Sequence, residues 1–170
     1  ARPVTSARQT REAPTTSRTR ACSETVSRHF TNKRRPLHLP ADMKDMKIRV
    51  LPSEIHRRTF ELLGAKAMRM DLTEAIAMIK AGTLDAQENP LANTVTYGVH
   101  KFHKFHTLSY HFYISRPIFL HRPSFDAWPD DLKRAMQTAV IEAEAFQRQL
   151  AVEEPEASRK AIEEAGCEIV

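Results

Sequence analysis

Glycine is scarce, with four residues in a chain of 170. Loops that cradle phosphate need clustered glycines, and neither G-x-G-x-x-G nor G-x-x-x-x-G-K-[ST] occurs. Cysteine is scarcer still. Cys22 and Cys167 cannot build a disulfide framework or a four-cysteine zinc site. No apolar run approaches the roughly 18 residues of a membrane-spanning helix. Neither G-x-S-x-G nor H-E-x-x-H is present, which removes two common hydrolase signatures. What is there is globular in composition, with 41% hydrophobic and 28% charged residues. The length suits one domain or a piece of a larger one. Charge is biased, with 26 Lys and Arg against 21 Asp and Glu, a net +5. A basic balance points to nucleic acid only where it sits on folded surface.

Most of the excess is at the start. Residues 1–27 hold Arg2, Arg8, Arg11, Arg18 and Arg20 against Glu12 and Glu24, a net +3. They contain no Leu, Ile, Met, Phe, Tyr or Trp, so a disordered leader is expected there. No apolar stretch of the secretory type follows the early arginines. The rival reading is an arginine-rich arm that binds nucleic acid. It lacks lysine, and it lacks aromatic rings on which bases could stack. Residues 28–170 carry 21 basic and 19 acidic side chains, an unremarkable balance.

Lys47 to Leu51 reads as a strand ending at Pro52. Ser53 is placed to cap a helix running to about Leu63, with Ile55, Thr59, Leu62 and Leu63 inward and Gly64 as the stop. Ala67 to Met70 reads as a second strand. Asp71 and Glu74 form a capping box before Leu72, Ala75, Ile76 and Ile79, and Gly82 ends that helix. Leu84 to Glu88 is extended, and a helix is expected from Leu91 to about Lys101. Such alternation implies parallel strands with crossover helices. Two strand-like runs follow, Phe105–Ile114 and Pro117–Leu120. Pro129-Asp130-Asp131 opens a long helix whose stripe, Leu132, Met136, Ala139, Ala143, Phe146 and Leu150, is expected to pack on a sheet. Pro155 should kink or interrupt it. Cys167 to Val170 reads as a last strand.

His100, His103, His106 and His111 crowd together but match no metal motif, so no metal and no cofactor is expected. Cys167 lies in a strand where a thiol is inert. Asp85, Glu88 and His111 could in principle serve a small α/β enzyme, though spacing gives that nothing beyond proximity. Arg49 is more informative. It sits mid-strand between Ile48 and Val50 with no acid beside it, and a guanidinium holds a carboxylate through two parallel hydrogen bonds.

Ala41-Asp42-Met43-Lys44, Lys47-Ile48-Arg49-Val50, Leu63-Gly64-Ala65, Met70-Asp71-Leu72-Thr73-Glu74 and Asp85-Ala86-Gln87-Glu88-Asn89-Pro90-Leu91 occur in one order. With Trp128-Pro129-Asp130-Asp131-Leu132, this pattern resembles the substrate-binding proteins of TRAP transporters, the DctP-like family. The resemblance covers residues 28–170. It implies an α/β chain with a partial periplasmic-binding-protein-like fold, mostly one lobe, with a parallel or mixed sheet flanked by helices and a long C-terminal helix. It implies a non-enzymatic, periplasmic binding module that holds an organic carboxylate and passes it to TRAP membrane permease subunits. By resemblance, Arg49 forms the salt bridge to the ligand, Asn89 and Arg28 lie at the same site, Leu72 stands where an aromatic often packs, and His111 falls nearby. Asp45 stands where the family usually has glycine. The first lobe, a signal peptide and closing helices after Val170 are expected outside this chain, and residues 1–27 are expected to be a leader read in a wrong frame.

Overall fold

A computed structural model describes residues 17–23 and 27–170. Its strands are β1 (Ser17–Ser23), β2 (Ser27–Asn32), β3 (Lys47–Val50), β4 (Lys66–Arg69), β5 (Ala86–Asn89), β6 (Phe105–Tyr113), β7 (Arg116–His121) and β8 (Glu168–Ile169). Its α-helices are α1 (Glu54–Leu62), α2 (Leu72–Lys80), α3 (Leu91–Thr96), α4 (Arg122–Asp126) and α5 (Asp130–Glu164). The described residues fall into two units, 17–23 with 115–148 and 27–114 with 149–170. No helix among them is long and apolar enough to cross a membrane.

The second unit is built on a mixed sheet in the order β4-β3-β5-β2-β6-β8. β4, β3 and β5 are parallel, as the strand–helix alternation requires. β2 lies antiparallel between β5 and β6. Ser-Arg-His-Phe-Thr-Asn has no apolar alternation, yet all but its first residue is buried. Arg28 and Thr31 find polar partners inside the fold, and Asn32 Oδ1 accepts from the Arg34 and Arg35 amides.

One face of the sheet packs Phe30, Ile48, Val50 and Ala86 against Phe60, Leu37, Met43 and Met46. Fully burying such a side chain stabilises by about 1.5–3 kcal/mol. The other face packs Met70, Ala75, Ile79, Leu84 and Val99. The inward face of α1 differs from the expected one. Ile55 and Leu62 are 71% and 70% exposed, and His56 and Phe60 are buried. The helix is rotated because Phe60 fills the core beside Phe30, at 5.2 Å between ring centroids, and brings His56 to Glu88. Ser53 holds the N-cap position but makes no side-chain cap bond. Asp71 does cap α2, accepting from the Glu74 amide at 2.9 Å. Asp71→Ala should therefore cost about 1 kcal/mol in urea denaturation, and Asp71→Asn should retain most of it.

The helix expected to reach Lys101 stops earlier. Gly98 takes a left-handed φ of 66°, and a 3-10 turn, Val99–Lys101, follows. Against β2, β6 is strongly irregular. Arg28 pairs with Phe112 and Phe30 with Thr107, so residues 108–111 stand opposite His29 alone. Tyr110 within this bulge has a φ of 48°, costly for an aromatic residue. Of the kink or interruption expected at Pro155, the interruption does not occur, since α5 runs through it as one helix. Proline removes the donor to the Ala151 carbonyl, one bond in a helix of 35 residues.

In the first unit β1 pairs antiparallel with β7. Composition argues against structure throughout residues 1–27, but Ser17–Ser23 form a strand, since a ladder needs backbone partners and not apolar side chains. Residues 1–16 and 24–26 lie outside the described residues. Phe125 and Val140 are buried here, with Trp128 at 5.4 Å from the Phe125 ring. The apolar stripe of α5 is not packed as expected. Leu132 is 45% exposed and Phe146 63%, because helical periodicity marks a face without specifying what covers it.

Candidate functional site

The pleat sorts the central strands. Arg49 stands opposite Gln87 across β3 and β5, and β2 places Thr31 opposite Gln87 and His29 opposite Asn89. Alternation then puts Arg49, Gln87, Asn89, His29 and Thr31 on one face, and Ile48, Val50, Ala86 and Glu88 on the other. All five polar residues are buried. The C-terminal ends of parallel strands are where open α/β sheets hold ligands, and Arg49 and Asn89 occupy the ends of β3 and β5.

Arg49 is 3% exposed. Its Nε donates to the Met70 carbonyl at 3.1 Å. Nη1 and Nη2 have no hydrogen-bond partner among the described residues. Burial pushes its pKa down, the Glu88 charge opposes that, and Arg28 adds to it. A buried cation whose fork is unmatched is unfavourable in isolation and favourable toward an anion.

Arg28 is placed differently. Its Nε and Nη2 grip both oxygens of Glu88, with Nη2–Oε1 at 3.0 Å, and Nη2 also reaches the Glu88 carbonyl at 2.7 Å and Asn89 Oδ1 at 3.1 Å. Glu88 is fully buried. Burial pushes its carboxyl up, but hydrogen bonds from His111 and Arg28 outweigh this and hold it below the ordinary range. The Arg28 charge is thus matched within the protein, which leaves Arg49 as the buried cation whose fork is unmatched among the described residues.

His111 Nε2 lies 3.4 Å from Glu88 Oε2, and its ring stacks on Phe30 at 4.3 Å. The β6 bulge aims it there. His56 Nδ1 is 3.6 Å from Glu88 Oε1, beyond hydrogen-bond range, and burial lowers its pKa. Leu72 is half-buried at the first turn of α2, two residues past the carbonyl that anchors Arg49. Asp85 sits apart from Glu88 and His111. It accepts from the Lys47 amide at 3.0 Å and faces Lys33 and Arg34, before the opposite end of β5. The three enzyme candidates therefore do not converge.

A further row leads away from Asn89. Asn89 Nδ2 donates to Gln87 Oε1 at 2.5 Å, Gln87 Nε2 reaches Thr31 Oγ1 at 3.0 Å and Thr94 Oγ1 at 3.3 Å, and Thr31 Oγ1 meets His103 Nδ1 at 2.9 Å. Neither Gln87, Thr31 and His56 nor the pairing of Glu88 with Arg28 stands out in the sequence. The only signal for Glu88 is that a buried Arg28 needs an acid. His100 and His106 spend nitrogens on the Thr94 and His103 carbonyls, and the Cys167 thiol on the His100 carbonyl, with burial raising the thiol pKa.

The family described as "Bacterial extracellular solute-binding protein, family 7", DctP, matches residues 21–170, beginning inside the stretch read as a leader. The chain is 29% identical over 143 residues to the 2,3-diketo-L-gulonate-binding periplasmic protein YiaO of Escherichia coli K12, covering 84% of this chain and 44% of that protein. It is 28% identical over 131 residues to the C4-dicarboxylate-binding periplasmic protein DctP of Rhodobacter capsulatus, covering 77% and 39%. A TRAP periplasmic solute binding protein from Roseobacter denitrificans, solved with β-D-glucuronate, superposes with a TM-score of 0.84 at 30% identity, covering 90% of this chain and 51% of that one. The chain thus spans about half the length of the relatives it matches, or less. With its sequence matched from Ala21 to Val170 on this mixed α/β sheet, the chain belongs to the DctP family of bacterial extracellular solute-binding proteins.

Proposed function

We propose that the protein carrying this chain is the periplasmic solute-binding component of a TRAP transporter, that it binds an organic carboxylate of the sugar-acid class, and that it delivers it to the membrane permease without chemistry. The observation that carries this is Arg49, buried, fixed through Nε to the Met70 carbonyl, and with both Nη groups unpartnered among the described residues. A carboxylate satisfies both at once through parallel N–H···O bonds. Asn89 adds an amide donor on the same face. Arg28, locked to Glu88, holds that amide in place.

Sugar acids are favoured within the carboxylates because relatives named for such acids match most of this chain. In a thermal-shift panel on the whole protein, D-glucuronate, D-galacturonate and 2,3-diketo-L-gulonate should raise the melting temperature, and D-glucose and D-galactose should not. At a hundredfold excess over Kd the stabilisation is about 2.7 kcal/mol, well above the noise of the method. A neutral sugar that stabilises as well as its uronate would remove the carboxylate from the recognition.

A further inference from the structure

Of the five buried polar side chains on the Arg49 face, His29 is the one that makes no hydrogen bond among the described residues. It is 5% exposed, and its Nδ1 is fully buried without a partner. His56, His103 and His106 also carry a buried, unpartnered nitrogen, but each of those rings is otherwise engaged. His103 and His106 spend their other nitrogen on Thr31 Oγ1 and the His103 carbonyl, and His56 faces Glu88 on the opposite side of the sheet. β2 sets His29 directly opposite Asn89, at the end of the sheet where Arg49 lies. Facing residues of an antiparallel pair hold their Cβ atoms about 5 Å apart. Burial and the neighbouring His111 lower the His29 pKa to about 4, so the ring is neutral at physiological pH.

The β6 bulge holds this ring. Residues 108–111 stand opposite His29 alone, and the Tyr110 ring meets it perpendicularly at 4.6 Å. Tyr110 keeps its φ of 48° while 66% exposed, so core burial does not compensate the strain. Such strain persists where the surrounding structure imposes it, and its effect here is to fix the plane of the His29 ring. With Nδ1 closed off, Nε2 is the nitrogen left for a ligand. A neutral imidazole nitrogen is either a bare acceptor or an N–H donor, and a hydroxyl answers both. The match holds in either tautomer.

We propose that His29 is a ligand-contacting residue of this site, that its Nε2 pairs with a hydroxyl of the bound acid, and that it thereby favours hydroxylated acids over carboxylates with no hydroxyl. This rests on the carboxylate reading of Arg49, and it adds a second point of attachment beside Asn89 on β2. An acid lacking that hydroxyl leaves the nitrogen dehydrated and unpaired.

The test uses the whole protein with D-glucuronate and with cyclohexanecarboxylate, which keeps a six-membered ring and the carboxylate and lacks every hydroxyl. Calorimetry reads the first affinity, and displacement of D-glucuronate reads the second. His29→Phe keeps an aromatic ring against Tyr110 and removes both nitrogens. It should weaken D-glucuronate about tenfold and leave cyclohexanecarboxylate within about twofold. His29→Gln, which again offers a donor and an acceptor, should recover part of the loss. In unsubstituted protein labelled with 15N-histidine, saturating D-glucuronate should move the His29 Nε2 signal, and cyclohexanecarboxylate should not. Equal losses for both acids in His29→Phe overturn the proposal, since a merely structural role produces that result. So does an Nε2 signal that D-glucuronate leaves in place, whether or not the variant folds, because the nitrogen is then paired with water. Full D-glucuronate affinity in Arg49→Lys would instead remove the carboxylate reading, and the Nε2 signal would still decide the role of His29.

Discussion

Arg49→Met is expected to abolish high-affinity carboxylate binding while leaving the unliganded protein as stable as before, or more so. The expected loss of affinity is about 2–4 kcal/mol, roughly 30- to 1,000-fold. The two halves of the result have one cause. Arg49 is 3% exposed and makes a single hydrogen bond, to the Met70 carbonyl. Without ligand it is a dehydrated cation with an empty fork, and an unbranched apolar side chain of similar length removes that cost. Arg49→Lys separates charge from shape. It keeps the charge but cannot form two parallel bonds, and should lose most of the affinity. Calorimetry with a bound uronate gives the affinities, and urea denaturation gives the stability. Undiminished binding by Arg49→Lys would remove Arg49 from the site.

Glu88→Ala should have the opposite profile, a large loss of stability before any question of ligand. The carboxylate is fully buried beneath Arg28, with His111 at 3.4 Å. Removing it leaves the Arg28 cation buried and unmatched, a cost of about 3–5 kcal/mol. Glu88→Gln restores one acceptor and should recover part of the loss. The same group contributes to acid sensitivity. Its folded pKa lies below 4.5, so its stabilisation is complete above that pH and is lost as pH falls through the folded value. Buried histidines act earlier, His56 among them. Burial lowers His29 and His106 to about 4 and His103 to about 3, from 6.5. Between pH 6.5 and 4 the unfolded chain takes up protons that the folded one refuses. Stability should therefore decline as pH falls across that window, by about 1.4 kcal/mol per pH unit for each histidine at most. Urea midpoints measured from pH 7.5 to 4 should fall in the unsubstituted protein. The slope above pH 5 should persist in Glu88→Gln, since it belongs to the histidines. A flat profile above pH 5 would mean that these rings are hydrated.

The β3–α1–β4–α2–β5 run is legible in the sequence because local signals agree there. Short β-branched or apolar segments alternate with Asp71 or Gly64 and Gly82 at helix ends, and both glycines take the left-handed φ their stops need. β2 is not legible, because Arg28 and Thr31 are buried through partners distant in the chain, which no local period records. The same holds for the site. Arg49 stands out as a cation in an apolar strand. Glu88 does not, because an acid before Asn89 looks like any turn carboxylate until β2 brings Arg28 across to it. The rotation of α1 has the same origin. Ile55 and Leu62 look like the inward residues until Phe60 and His56 are seen to have tertiary partners that outweigh their helical period.

The bulge in β6 has a consequence for how the surroundings of Glu88 can change. His111 reaches Glu88 because residues 108–111 are accommodated opposite a single residue of β2. Its aim is written in the number of residues between Thr107 and Phe112, not in their identities. Substituting Leu108 or Ser109 leaves that count intact. Deleting either one shortens the bulge and reshapes the turn at Tyr110 that precedes His111. Variation among relatives around Glu88 is therefore best sought in the length of this bulge.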